Sequence, residues 1–243
     1  MPVLGIVASQ QVLKLMPPIL TNLETWIDAS DATSVTLSSG KVSQINDLSG
    51  NGRHLVQATS TNQPTYSTNV KNGLNAMQMS GNQWVRQSSN WTPTDPITFY
   101  WVGQMSNTGA TYLGTGWTNY RLDLQSYQSN SGAGASFQTE GGNVMSILIN
   151  STNIADGTWR YLTELRGTGT DAQAYANTSL GSSSTVGGAG MSALGSGTLT
   201  LGTRSDGAAP MSGYIGESMI YLGKHNSTQL AAMHAYFAAK WGI

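Results

Sequence analysis

Short runs that alternate apolar with polar residues, or are rich in β-branched and aromatic ones, recur along this chain. They predict β-strands at 23–27, 42–45, 76–79, 97–102, 121–125, 144–149, 161–166, 172–175, 198–201 and 214–222. Turn formers separate them, most densely where Asn46-Asp47 is followed by Leu48-Ser49-Gly50-Asn51-Gly52, in which Gly and Asn supply positive φ angles. Many short strands between Gly, Asn and Ser turns define an all-β chain, a sandwich with jelly-roll connections. Helical spacing emerges clearly at the C-terminus. There Leu230, Met233, Phe237 and Trp241 follow Asn226, an N-cap with Gln229 three residues on, and these four side chains should face the sandwich.

Two segments stand outside these runs. Residues 181–197 are rich in Gly and Ser and read as a flexible surface loop. Residues 1–20 read as an extended N-terminal arm: Gly5, Ser9, Gln10 and Gln11 interrupt its apolar residues, and Pro17-Pro18 stops any helix from running into the domain. The expected organisation is an arm at 1–20 and one sandwich domain at 21–243, since all-β domains of this length commonly form a single unit.

Composition narrows the partners. Charged residues make up 9% of the 243 positions, against roughly 25% in ordinary domains, and the formal net charge is −1. Such a surface has little field to attract a polyanion, so neither nucleic acid nor an anionic membrane is expected as a partner. Seven Trp and ten Tyr argue against disorder. Cysteine is absent, which removes disulfides and Cys-based zinc sites and suits folding in a reducing cytoplasm. In the first twenty residues Lys14 follows the apolar residues, the reverse of a signal peptide, and no apolar run approaches the ~20 residues that span a bilayer.

Several pieces resemble one family. They are Trp26-Ile27-Asp28-Ala29-Ser30-Asp31; the Asp47 to Gly52 turn with Gln63-Pro64-Thr65-Tyr66; Asp156-Gly157-Thr158-Trp159; and a closing segment from Leu199-Thr200-Leu201-Gly202 through Gly213-Tyr214-Ile215-Gly216-Glu217 to Lys240-Trp241-Gly242-Ile243. In this order they resemble the laminin-G-like, concanavalin-A-like domains of tailed-phage virion proteins. Pro2-Val3-Leu4-Gly5-Ile6-Val7-Ala8-Ser9 separately resembles the leader of phage structural proteins. The resemblance implies a concanavalin-A-like (jelly-roll) β-sandwich with one C-terminal amphipathic helix, displayed on a virion.

Chemistry is sparse. Glycosidases on such sandwiches set two carboxylates about 5–5.5 Å apart. The sequence has no Glu-x-Asp-x-Glu strand, and Glu24, Glu140, Glu164 and Glu217 lie far apart along the chain. Glu217 is read as a structural hydrogen-bonding residue. There is no Gly-x-Ser-x-Gly elbow, and His54, His225 and His234 are scattered, so no catalytic residue is assigned. Asp28, Asp31, Asp47 and Asn51 could offer oxygens to calcium, but Asp and Asn equally bond their own turns, and the turn role is preferred. No metal and no cofactor is assigned. Asn90, Asn150, Asn177 and Asn226 head N-x-Ser/Thr sequons, which a chain this rich in Asn, Ser and Thr makes by chance.

Aromatic residues beside amides suggest a glycan site. Trp117, Asn119, Tyr120 and Gln125 combine a stacking ring with hydroxyl-binding groups, and Trp84 and Trp91 flank another polar stretch. The expected function is a non-enzymatic virion component, capsid decoration or head fibre, with glycan adhesion. The alternative is a tail-associated carbohydrate-binding adhesin, and a glycoside hydrolase comes last. Expected partners are capsid or tail proteins held through the arm, further copies of the chain on the particle, and glycans.

Overall fold

The computed structural model describes residues 15–94, 96–106, 111–115, 120–125, 134–139, 144–148, 154–167, 171–186, 196–203, 207 and 209–243, with the backbone course alone for the strands within 111–148 and for 182–186. In chain order the strands are β1 (Leu23–Asp28), β2 (Val35–Ser38), β3 (Lys41–Ile45), β4 (Leu55–Val56), β5 (Thr65–Lys71), β6 (Leu74–Ser80), β7 (Val85–Gln87), β8 (Ile97–Met105), β9 (Thr111–Thr115), β10 (Tyr120–Gln125), β11 (Gly134–Thr139), β12 (Val144–Leu148), β13 (Trp159–Arg166), β14 (Ala172–Ala176), β15 (Ser179–Leu180), β16 (Ser182–Val186), β17 (Leu199–Leu201) and β18 (Ser212–Leu222), followed by the helix α1 (Ser227–Trp241).

All pairings are antiparallel. One layer is built around β18, which holds β8 along one side and, along the other, β6 near its start and β1 near its end; β13, β14 and β15 continue beyond β8. The other layer runs β4, β7, β17, β9, β10, β11, β12, β16. The β5–β6 hairpin and β3, which pairs β2, β4 and β5, join the layers. The architecture is a jelly-roll β-sandwich with one C-terminal helix.

Each strand run expected from the sequence lies within one of these strands or overlaps it to a residue or so. Strands β2, β4, β5, β7, β9, β11, β15 and β16 escaped: β4 and β7 are too short to show a period, β2, β5 and β15 are exposed and are fixed by their partners' backbones instead of by their own pattern, and β9, β11 and β16 are likewise defined by their pairing. The loop expected at 181–197 is corrected in part. Ser182–Val186 forms β16 and pairs Val144–Leu148 of β12, main-chain hydrogen bonds prevailing over a weak local preference.

The central strands of the first layer are buried on both faces. In β8, Ile97, Phe99 and Trp101 enter the core between the layers, where they meet Leu55, Val85, Leu199 and Leu201. Tyr100 and Val102 turn to the opposite face and meet the helix. Leu230, Met233, Phe237 and Trp241 are all buried there, as their spacing requires. Asn226 caps the helix with the reciprocal Gln229 bonds, and Gly242, at φ 63°, closes it in the left-handed conformation that suits glycine. The Trp159 ring, at the end of the Asp156-Gly157-Thr158-Trp159 piece, stacks on Trp241 at 5.4 Å and on Tyr214 at 6.1 Å.

The described end of the arm crosses its own sandwich. Tyr221 donates its hydroxyl to the Ile19 carbonyl at 3.0 Å, and the Leu15 carbonyl lies 3.3 Å from the Tyr236 hydroxyl oxygen. Residues 15–20 are not a strand, and the side chains of Leu15, Met16 and Leu20 face solvent.

Candidate functional site

The seam between the first layer and the helix gathers the ionisable groups that could do chemistry. Asp28 on β1 stands directly opposite Glu217 on β18. The β18 register shifts between Ile215 and Glu217, a bulge at Gly216. Ile215 enters the core between the layers while Glu217 turns to the helix, where strict alternation would have put both on one face. A bulge thus re-aims the carboxylate.

Like charges opposed across a strand pair repel, and Lys240 offsets this from above. Its Nζ lies 2.7 Å from Asp28 Oδ2 and 3.0 Å from Glu217 Oε2. Glu217 accepts three further bonds, from Trp26 Nε1 and the Tyr236 hydroxyl at 2.8 Å each and from Trp241 Nε1 at 3.0 Å. The other Asp28 oxygen holds Ser30. Glu217 is 0% and Asp28 1% exposed. Burial, then the Asp28 charge, raises the Glu217 carboxyl above the ordinary carboxylate range, opposed by Lys240, Trp241 and Tyr236. Burial alone would lower Lys240, but Glu217 and Asp28 outweigh it and hold the ammonium above its usual value.

Sequence reading missed this carboxylate pair, since the two residues are 189 positions apart (217 − 28). A signal was present: Lys240 falls on the helix stripe that carries Met233 and Phe237, and a cation there demands a buried partner. Glu217 as a structural hydrogen-bonding residue agrees with what is seen.

The other candidates resolve into turns and packing. Asp47 accepts from the backbone amides of Trp26, Ser49 and Arg53 and from the Ser49 hydroxyl, while Asp31 accepts from Thr33. These are the turn roles preferred above. Among the described residues no group of three His, Asp or Glu could hold a metal ion. The histidines stay apart: His54 accepts from the Asp47 amide, His225 meets Tyr100 and His234 meets Thr163. Arg86 covers the Trp84 ring at 4.6 Å, and Arg53 covers Trp91 at 4.3 Å.

Of the expected glycan residues, Trp117 and Asn119 lie outside the described residues. Tyr120 and Gln125 open and close β10, opposite Thr139 and Thr111, which sets their backbones about 17 Å apart at the usual strand rise.

A groove of about 470 Å³ opens between the helix, from Ser227 to Ala238, and the β13–β15 hairpins. Its floor holds Tyr161 and His234, its rim Tyr175, Thr178 and Ser227, and the small side chains of Ala231 and Ala235 leave it open along the helix. The His234 ring lies 4.9 Å from Tyr161 and 5.8 Å from Tyr175. Its Nε2 meets the Thr163 hydroxyl at 3.0 Å, and burial lowers its pKa to about 4, so the ring is neutral at pH 7. Sequence reading placed none of these residues in a site, because β13, β14 and the helix converge only in the fold.

No protein-family model matches the sequence, and no curated protein matches it significantly. Solved structures do. Domain 4 of AbnA, an extracellular arabinanase from Geobacillus stearothermophilus in complex with arabinotriose, superposes with a TM-score of 0.65 at 14% identity, covering 88% of this chain and 98% of that one. The binding domain of Paraclostridial Mosquitocidal Protein 1 gives 0.50 at 16% identity, over 90% of this chain and 53% of that one. A Trypanosoma rangeli sialidase in complex with sialic acid gives 0.52 at 10% identity, over 90% and 33%. The chain therefore spans a whole domain of the arabinanase and about half and a third of the others. Enzymes and binding domains both contain this fold, and at these identities the likeness shows the fold alone, a jelly-roll β-sandwich.

Proposed function

We propose that the chain is a non-enzymatic, glycan-binding β-sandwich displayed on a phage particle as capsid decoration or head fibre. One observation carries the non-enzymatic part: the Asp28 and Glu217 carboxylates are closed off from solvent and saturated by Lys240, Tyr236 and two Trp indoles. A glycosidase must present its acid and its nucleophile to a sugar in an open cleft. Glycan binding draws support from neighbours of the same fold solved with arabinotriose or sialic acid. The virion role rests on the sequence pieces that resemble tailed-phage domains.

In this reading the arm attaches to capsid or tail proteins, with Leu15 and Met16 already exposed where it leaves the sandwich. Many copies on one particle then turn weak sugar contacts into firm adhesion. The second reading, a tail-associated adhesin, uses the same sandwich and differs in the particle protein that holds it.

Purified chain incubated with arabinan, xylan and sialylated oligosaccharides should release no reducing sugar. Release that vanishes in a Glu217→Gln variant would overturn the non-enzymatic reading. Antibody labelling of intact particles should decorate the head, label on the tail supporting the adhesin and no label refuting both. Deleting residues 2–14 should leave a folded sandwich that no longer joins particles.

A further inference from the structure

We infer that the groove between the helix and the β13–β15 hairpins is a sugar-binding subsite, with Tyr161, Tyr175 and His234 as its recognition groups; this rests on the glycan-binding reading above. Tyr161 and His234 are buried as residues and line the groove, and among the described residues the Tyr161 hydroxyl and His234 Nδ1 make no hydrogen bond within the protein. Neither atom is sealed from solvent. Each is therefore free to exchange water for a ligand hydroxyl within one concavity.

The rest of the lining specifies the ligand. Tyr175 presents a half-buried ring on the wall, and Thr178 and Ser227 add hydroxyls at the rim. No lining residue carries a charge at neutral pH, because burial keeps His234 in its neutral form. A phosphate, a carboxylate or a nucleic-acid backbone would gain nothing there. A purely apolar ligand would leave the Tyr161 hydroxyl and His234 unpaired. A neutral sugar ring, with apolar C–H faces and hydroxyls around its edge, matches an aromatic wall beside scattered hydroxyl and imidazole groups. The volume of about 470 Å³ falls within the usual range for small-ligand sites, roughly 300–1,000 Å³.

The position suits a displayed protein. Ala231 and Ala235 are exposed helix residues, so the groove opens on the outer surface of the helix layer.

The test uses the full chain on an array of neutral pentose and hexose oligosaccharides with arabinotriose included, followed by titration of each hit. Ala235→Trp, at an exposed position, should fill the groove and abolish binding with the melting curve unchanged. Tyr161→Phe, which removes one hydroxyl, should weaken binding roughly tenfold. Saturating ligand should shift the His234 ring resonances. Wild-type binding that persists undiminished in both variants would overturn the groove and leave the glycan reading standing. Loss of binding in Trp117→Ala, with the groove variants unaffected, would also overturn it by moving the site to the stretch around that residue. No binding to any sugar would sink the glycan reading and this subsite together.

Discussion

Asp28 and Glu217 face each other across the β1–β18 ladder and share one ammonium, Lys240 Nζ, at 2.7 and 3.0 Å. Two carboxylates opposed on neighbouring strands could have formed a catalytic pair. The helix converts them into its anchor, because the cation that would quench such a pair sits in the last turn of the element that closes over them.

Lys240→Met should therefore be severely destabilising. It leaves two carboxylates buried without a counter-charge, and breaking a buried ion pair from one side costs about 3–5 kcal/mol. Adding Glu217→Gln should recover part of the loss, since a neutral amide tolerates the site better. Urea denaturation of the two variants measures this, and a Lys240→Met midpoint equal to wild type would contradict the anchor role.

Gly216 sets how closely the helix can lie. A Cβ there would meet the Trp241 ring at 2.3 Å. Gly216→Ala is expected to cost about 1–3 kcal/mol by overpacking, and Trp241→Ala about 3–5 kcal/mol by leaving a cavity. In the double variant the two effects should fail to add, since the methyl then enters the space the indole vacated. A double-mutant cycle read by thermal melting checks the coupling; simple additivity would place the clash elsewhere.

Calcium should not change the melting temperature. Both Asp47 oxygens already accept protein donors, and one Asp28 oxygen is held by Lys240. Asp47→Ala, by contrast, strips acceptors from the Trp26 and Arg53 amides and should cost about 1–3 kcal/mol or more. A rise in melting temperature with added calcium that chelator reverses would show a metal role for this loop.

Stability should fall on mild acidification. Burial lowers the pKa of both His225 and His234 from 6.5 to about 4. In that interval the unfolded chain takes up protons that the fold excludes, so the stabilisation is complete above pH 6.5 and is lost as pH falls toward 4. The raised Glu217 pKa acts oppositely: its contribution is fullest below the ordinary value of 4.5 and declines as pH rises. Lys240, also raised, supports the fold until pH climbs beyond 10.5. Denaturant midpoints across pH should show the acid limb flattening in a His225→Gln, His234→Gln variant; an unchanged limb would assign it to other groups.

The elements with strong local patterns were legible in the sequence. Runs rich in β-branched and aromatic residues marked β1, β8, β13 and β18, and Asn226, Gln229 and the apolar stripe marked the helix, because local composition, periodicity and capping depend on neighbours within one segment. The sequence by itself thus determined an all-β chain closed by one helix. It did not determine the pairing of Asp28 with Glu217, the groove of Tyr161, Tyr175 and His234, or the strand at Ser182–Val186. Each depends on segments distant in sequence: a ladder register, a bulge at Gly216 that turns one carboxylate to the helix, and a helix whose Lys240 must meet both acids. Only the tertiary structure could decide these, since cross-strand register and helix docking are set by long-range packing and buried charge.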